Sequence, residues 1–364
     1  MFLYSVSKGE AINEIAKKFD TTASKIIKDN DIIPSMPLVK GQTLVITKEH
    51  EDREFGCVKT MASVKYNIER EALLRFLPYL TYLSIRSCYL RSDGSIFAQN
   101  DCAVRHLAKE NHVVPILEVL SANSLEGDWS ECLSSYEFVY RIVNNVKQLT
   151  LSNGYGAVNL NLGYVPDEYF NEYVELVATL KTMLSDWNIK IFSTLGKESI
   201  IKSDLELLGD SADMITLFPK GRQSDIMDVL EIEDLYKLIC EIVPKEKISM
   251  SFPMSALDNS YNSRGNCFRI EKLSSAQASR LACEKNADIV YDETNYLANF
   301  SYVDIEMGKP IEHRVCFQNL QSAYEIACMG KELCGGGVNV FNADKFYAPF
   351  WTMLSALYQI QKEI

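Results

Sequence analysis

The stretch Gly154-Tyr155-Gly156-Ala157-Val158-Asn159-Leu160-Asn161-Leu162-Gly163-Tyr164-Val165 carries the most informative spacing in the chain. Side chains alternate along a strand, so Val158, Leu160 and Leu162 share one face while Asn159, Asn161 and Gly163 share the other. Two amides in line can hydrogen-bond a carbonyl or an acetamido group, but they carry no charge and cannot act as acids. The nearby carboxylates are Glu118, which ends an earlier apolar run, and Asp167 and Glu168, which follow the stretch. Each reads first as a rim or helix-cap charge, with Glu118 the weak candidate for a general acid. Ten scattered cysteines form no Cys-x-x-Cys pair and only four histidines join them, so neither a metal site nor any cofactor is expected. Such thiols read as small buried hydrophobes.

The elements that must position these residues follow from periodicity. Strand candidates are 82–85, 113–117, 157–162, 190–194, 214–218, 247–252, 313–317 and 337–341. Helical spacing fills the gaps, as in Phe138, Val139, Ile142, Val146 and Leu149, or Tyr169, Phe170, Tyr173, Val174, Val177 and Leu180. Strand and helix in alternation predict a parallel sheet. Eight repeats closing on themselves predict an α/β fold of the (β/α)8 TIM barrel type, whose usual size of about 250 residues suits the chain from residue 58 to 364. The longest gap, around 269–303, predicts a small inserted α+β subdomain. A barrel's outer face meets its helices, so Asn159 and Asn161 point inward and rise toward the C-terminal mouth, where barrel enzymes place their chemistry.

Residues 1–47 read differently. Phe2, Tyr4 and Val6 alternate as a strand; Ile12, Ile15, Ala16 and Phe19 recur at helical spacing; a second helix capped near Thr21 or Thr22 stops at Asn30. Gly41 then turns the chain into a closing strand, giving a βααβ module, and the charged run 48–57 reads as a linker. The pattern Tyr4-x-Val6-x-x-Gly9-Glu10, Ile15-Ala16, Ile26, Asn30, Ile32 and Gly41-Gln42-x-Leu44-x-Ile46 resembles the LysM family. That resemblance implies binding of peptidoglycan or another N-acetylglucosamine-containing glycan. The groove it implies lies between Lys8, Gly9, Glu10, Ala11 and Ile12 on one side and Asn30, Asp31, Ile32 and Ile33 on the other, with backbone amides meeting the acetamido group.

The barrel resembles glycoside hydrolase family 18, the chitinase-like family, and within it the LysM-bearing hydrolases of spore cortex peptidoglycan. The resemblance rests on the 154–165 stretch, on Thr81-Tyr82-Leu83-Ser84 leading to Asp93-Gly94-Ser95, on Phe300-Ser301-Tyr302, on His313-x-Val315-x-Phe317 and on Gly335-Gly336-Gly337. The family's Asp-Gly-x-Asp-x-Asp-x-Glu motif, assigned here to the third strand, supplies a Glu as proton donor and an Asp that orients the substrate's attacking acetamido group. In this chain those acidic positions hold Gly156, Asn159, Asn161 and Gly163. Other departures agree: the family's final-strand Trp is matched by Phe341, its Met-x-Tyr by Phe218-Pro219-Lys220, and a spore-type acidic pair by Gln318-Asn319. The resemblance thus implies a catalytically degenerate barrel in which Asn159, Asn161 and Phe341 could line a residual glycan groove, and in which His313 is structural.

A formal net charge of −12 argues against nucleic acid as a partner, and no stretch is long and apolar enough to span a membrane. The first residues form a patterned strand and not a basic, apolar leader, so synthesis in the mother-cell cytoplasm and deposition on the spore cortex or coat are expected from the resemblance. The leading expectation is a glycan-binding pseudoenzyme. Two alternatives stand beside it: an active N-acetylglucosaminidase with a relocated acid, and a coat assembly scaffold whose partners are spore coat proteins.

Overall fold

The computed structural model describes residues 1–48, 53–91, 93–121, 131–200, 205–218, 226–341, 343 and 347–363. Eight parallel strands, Thr60–Lys65, Tyr82–Leu90, Val114–Ser121, Ala157–Asn161, Lys190–Gly196, Met214–Phe218, Ile248–Phe252 and Gly337–Val340, pair in sequence order, and the last pairs back to the first. Closure makes a (β/α)8 barrel, as the alternation predicts. Val158 and Leu160 face outward into a core built with the surrounding helices, which include Tyr136–Asn153 and Phe170–Leu184.

Two expectations about the strands change. Thr60–Lys65 is the first barrel strand, although its short run beside a charged segment gave little signal. Residues 313–317 lie instead in Lys309–Phe317, an antiparallel strand of a separate sheet. A five-residue alternating run does not reveal which sheet it will join. Counted from Thr60–Lys65, Glu118 stands on the third barrel strand, the Asn159–Asn161 motif on the fourth and Phe218 on the sixth.

The inserted subdomain is larger than 269–303. Strands Ser255–Tyr261, Cys267–Ser274, Val290–Asp292, Leu297–Glu306 and Lys309–Phe317 form a five-stranded antiparallel sheet, and helix Ser275–Glu284 covers one face through Ala278 and Ala282 against Phe300, Val315 and Phe317. His313 is buried in this sheet, its Nδ1 3.0 Å from both Asp258 carboxylate oxygens and its ring stacked on Tyr302.

The N-terminal module folds as read: strand Phe2–Ser5 pairs antiparallel with Thr43–Ile46 across helices Ile12–Lys18 and Ala23–Asn30, the second capped by the Thr22 hydroxyl. Its core is Val6, Ile15, Ala16, Ile26, Leu44 and Ile46. The module does not hang free. Val45 enters the barrel's apolar core, Val39 enters that of the inserted sheet, and the Ile289 amide donates to the Lys40 carbonyl at 2.8 Å. Gly41 makes the approach possible: its φ is +78°, and a Cβ there would stand 1.9 Å from the Ile289 carbonyl oxygen. The charged residues 49–52 of the expected linker lie outside the described residues. Just beyond them Phe55 already packs edge-on against Tyr358, with ring centroids 5.2 Å apart.

Chain residues near the C-terminus close the barrel's opposite, N-terminal end. Glu363 accepts from Lys190 Nζ at 2.8 Å and pairs with Lys59 at 2.8 Å. Burial pushes the Glu363 carboxyl up, but hydrogen bonds from Lys190, Lys59 and Tyr82 outweigh it and hold the group down at about 2. A depressed folded-state value contributes stability above the unfolded carboxyl's range, and that contribution is lost as pH falls toward 2. Glu363→Gln is therefore expected to cost about 1–2 kcal/mol at pH 7 after solvent screening. Denaturant melts of both proteins should converge as pH drops from about 4 toward 2; a gap that stays constant with pH would contradict this role.

Candidate glycan site and the barrel mouth

Inward-facing side chains rise through the barrel in layers. Met61, Tyr82, Ile116, Ala157, Phe192 and Met214 form an apolar floor. Two residues further along the same strands stand Ser63, Ser84, Glu118, Asn159, Thr194 and Thr216, all buried. A barrel interior is usually filled by branched aliphatic residues. This polar layer is held by hydrogen bonds: Ser63 and Ser84 donate to Glu118 Oε2 at 2.6 and 3.0 Å, and Thr194 donates to Asn159 Oδ1 at 3.0 Å.

Glu118 is accordingly not a rim charge. It is fully buried, and Asn161 Nδ2 donates to its second oxygen at 2.7 Å. Three donors from three other strands occupy both carboxylate oxygens. Asp167 and Glu168 are exposed at the start of the turn Asp167–Tyr169, ahead of helix Phe170–Leu184.

The motif positions follow the same logic. Asn159 is too deep to meet a glycan, being 2% exposed. Gly156 is crowded for any larger residue, because a Cβ there would lie 2.4 Å from Val114 Cγ1, which would have to shift. Gly163 is the reverse case: exposed, with nothing within 4 Å of an added Cβ, but with φ at +82°. Phe341 does not offer an open stacking face, since it is 7% exposed and sits edge-on to Phe218 at 4.5 Å. The expected trio Asn159, Asn161 and Phe341 is therefore not gathered on one open surface. Pro219 and Lys220 lie outside the described residues.

The two amides that stand where the spore-type pattern has acids bear structure. Gln318 accepts from the Ser255 amide and donates to the Met227 carbonyl, tying the insertion to the barrel. Asn319 caps helix Leu320–Leu333 and donates to Thr43 of the N-terminal module at 3.2 Å.

In that module, two of the expected contact residues have internal partners. Glu10 accepts from the Tyr4 hydroxyl at 2.6 Å and from the Ser7 amide at 3.0 Å. Those bonds, the tyrosine's first, hold its carboxyl below the usual range. Asn30 is buried, donating to the Val45 and Ile26 carbonyls and accepting from the Val45 amide at 2.7 Å. Both side chains shape the loops. Lys8, Gly9, Ala11 and Asp31 are exposed, Ile12 and Ile32 pack on the module's core, and Ile33 is half-buried.

The loop 30–33 also opens on a cavity of about 610 Å³ between the module and the inserted subdomain, whose far wall includes Gln277, Arg280 and Tyr347. Sequence periodicity could not reveal that wall, because it depends on how two units dock. Ser63 and Ser84 were missed for a simpler reason: small hydroxyls inside apolar runs read as neutral fill, and only their inward register marks them.

Residues 4–47 match the LysM domain family. The chain joins a LysM domain to a (β/α)8 barrel. Over 99% of its length it is 20% identical to a cortical fragment-lytic enzyme of Bacillus anthracis, 99% of which is covered, and it is 21% identical over its whole length to the Bacillus subtilis (strain 168) counterpart, 99% covered. The crystal structure of the Bacillus cereus spore cortex-lytic enzyme SleL superposes with a TM-score of 0.85 at 18% identity, covering 99% of this chain and 98% of that one. A Chromobacterium violaceum chitinase superposes at 0.71 with 15% identity, over 83% of this chain and all of its own. No helix among the described residues is long and apolar enough to cross a membrane. Of the cysteines whose side chains are described, Cys88 and Cys283 are buried while Cys57, Cys102 and Cys267 are exposed, so the buried-thiol expectation holds for only part of the set.

The Asn161–Glu118 bond yields a pH prediction. Asn161→Asp sets two carboxylates at hydrogen-bond distance in a buried site, so one must keep a proton and its folded-state pKa is raised. Stability from that shared proton is present below the unfolded carboxyl's range and is lost as pH rises through the raised value. The variant is expected to lose about 2–3 kcal/mol at pH 7 and recover much of it near pH 4. Urea melts at both pH values check this, and an equal loss at each would contradict it.

Proposed function

We propose that this protein binds peptidoglycan, or a related N-acetylglucosamine-containing glycan, through its LysM domain, and that its chitinase-type barrel is catalytically degenerate. The observation that carries the second half is Gly163: where the family's proton donor stands, this chain has no side chain and an open space. Asn161 supplies no charge, and its amide is committed to Glu118. Loss of a general acid alone typically removes about 10²–10⁴ in rate, before lost electrostatic stabilisation is counted. Similarity to cortex-lytic proteins supports association with the spore cortex. The glycan-facing residues are Lys8, Gly9, Ala11 and Ile12 with Asp31, Ile32 and Ile33, presented by loops that Glu10 and Asn30 brace.

The rival, an active N-acetylglucosaminidase with Glu118 as relocated acid, fares poorly on geometry. A general acid must reach the glycosidic oxygen. Glu118 is sealed beneath the mouth with both oxygens occupied.

The test uses the full chain with purified spore cortex peptidoglycan. Co-sedimentation is expected, weak per molecule because one module binds alone, and aided by the repeating ligand surface. Gly9→Val, which puts a β-branched residue where the first loop is left-handed (φ +75°), is expected to reduce the bound fraction at least several-fold, with circular dichroism checking that the fold is retained. No new reducing ends are expected over hours. Turnover that disappears in Glu118→Gln would overturn the degenerate-barrel reading, and failure to sediment would overturn glycan binding.

A further inference from the structure

The LysM loop 30–33 has two sides, and one of them forms a wall of the cavity of about 610 Å³ shared with the inserted subdomain and the barrel. Its volume lies within the range of small-molecule sites, which favour junctions between structural units. Its lining mixes apolar groups such as Met36 and Phe317 with amides and hydroxyls, a composition suited to a sugar ring bearing an acetamido methyl.

Charge narrows the ligand class. The charged residues on the lining are Arg75, Arg280 and Asp31, an excess of one positive charge on a chain whose formal net charge is −12. Arg75 reaches Asp31 at 3.0 Å, spanning from the barrel to the LysM loop. Arg280 stands on the opposite wall, on helix Ser275–Glu284, with Glu284 3.6 Å from its Nε. Guanidinium forks match carboxylates in paired hydrogen bonds. Deeper in, the Tyr347 hydroxyl meets Ser279 Oγ at 3.2 Å, giving a polar patch on the insertion side.

We propose that this cavity is a second subsite that takes a carboxylate-bearing N-acetylamino sugar, a muramic acid unit of peptidoglycan whose lactyl carboxyl carries no peptide, with Arg280 and Arg75 as carboxylate partners. The inference rests on LysM glycan binding and deepens it: the loop 30–33 presents glycan on one side and shares its other side with the insertion. The protein thereby separates peptidoglycan from neutral chitin-like chains, which lack the acid.

Titration calorimetry on the full chain tests this with two soluble probes, the peptide-free disaccharide of N-acetylglucosamine and N-acetylmuramic acid, whose lactyl carboxyl is free, and the neutral N-acetylglucosamine tetramer. Arg280→Glu, at an exposed position of its helix, is expected to weaken binding of the muramic acid disaccharide at least tenfold and tetramer binding less than twofold. Ser279→Phe, which narrows the cavity without changing charge, is expected to act in the same direction. Unchanged affinity for the muramic acid disaccharide in both variants overturns the subsite while leaving LysM glycan binding in place. An equal fall for both probes in Arg280→Glu overturns the carboxylate assignment. Wild-type protein that binds neither probe overturns the underlying glycan-binding reading as well.

Discussion

A carboxylate sealed inside a closed parallel barrel must be matched by donors, and this condition organises the mouth around Glu118. Taking such a charge out of water costs several kcal/mol unless its oxygens are satisfied. Here the donors come from Ser63, Ser84 and Asn161, on the first, second and fourth barrel strands. Each is held at its level by the register of the strands that carry it. Asn161 is thereby explained by its neighbour: an amide can donate to Glu118, whereas a carboxylate in its place would repel it. The residue type that empties the motif of acid is also the one that completes the polar layer.

The second constraint is the seam. Val45, Val39, Gly41 and Thr43 place one side of the LysM domain against two different cores, and Asn319 both caps a barrel helix and reaches Thr43. A glycan held by this domain meets a fixed neighbour and not a tethered one. Ordering of the two units relative to each other is settled on folding, so it is not charged against binding.

Legibility divided along physical lines. The LysM module was readable because its turns and short periodic segments are local, down to the Thr22 cap and the stop at Asn30. Most barrel strands were readable because apolar runs bounded by helices leave few alternatives. Thr60–Lys65 was not, being a short mixed run beside charged residues, and 313–317 was placed in the wrong sheet because alternation does not encode a partner. The inward direction of Asn159 and Asn161 followed correctly from period two. What they touch did not, since Glu118 reaches them from the adjacent strand and Ser84 from the strand beyond it, contacts set by strand order and register.

The same local detail bears on what an acid would meet at each position of the 154–165 stretch. Gly156 is fixed by Val114, so an acid there would require that side chain to shift. Gly163 adopts a left-handed backbone that costs a residue with a Cβ about 1 kcal/mol or more. Asn161 is held by Glu118, and Gln318 and Asn319 have taken up duties in the insertion and the seam. These are separate obstacles in separate surroundings, three of them steric or electrostatic at the motif itself. Gly156 and Asn161 are engaged by their neighbours, Gly163 is set by its backbone alone, and the polar groups at Asn161, Gln318 and Asn319 serve the fold.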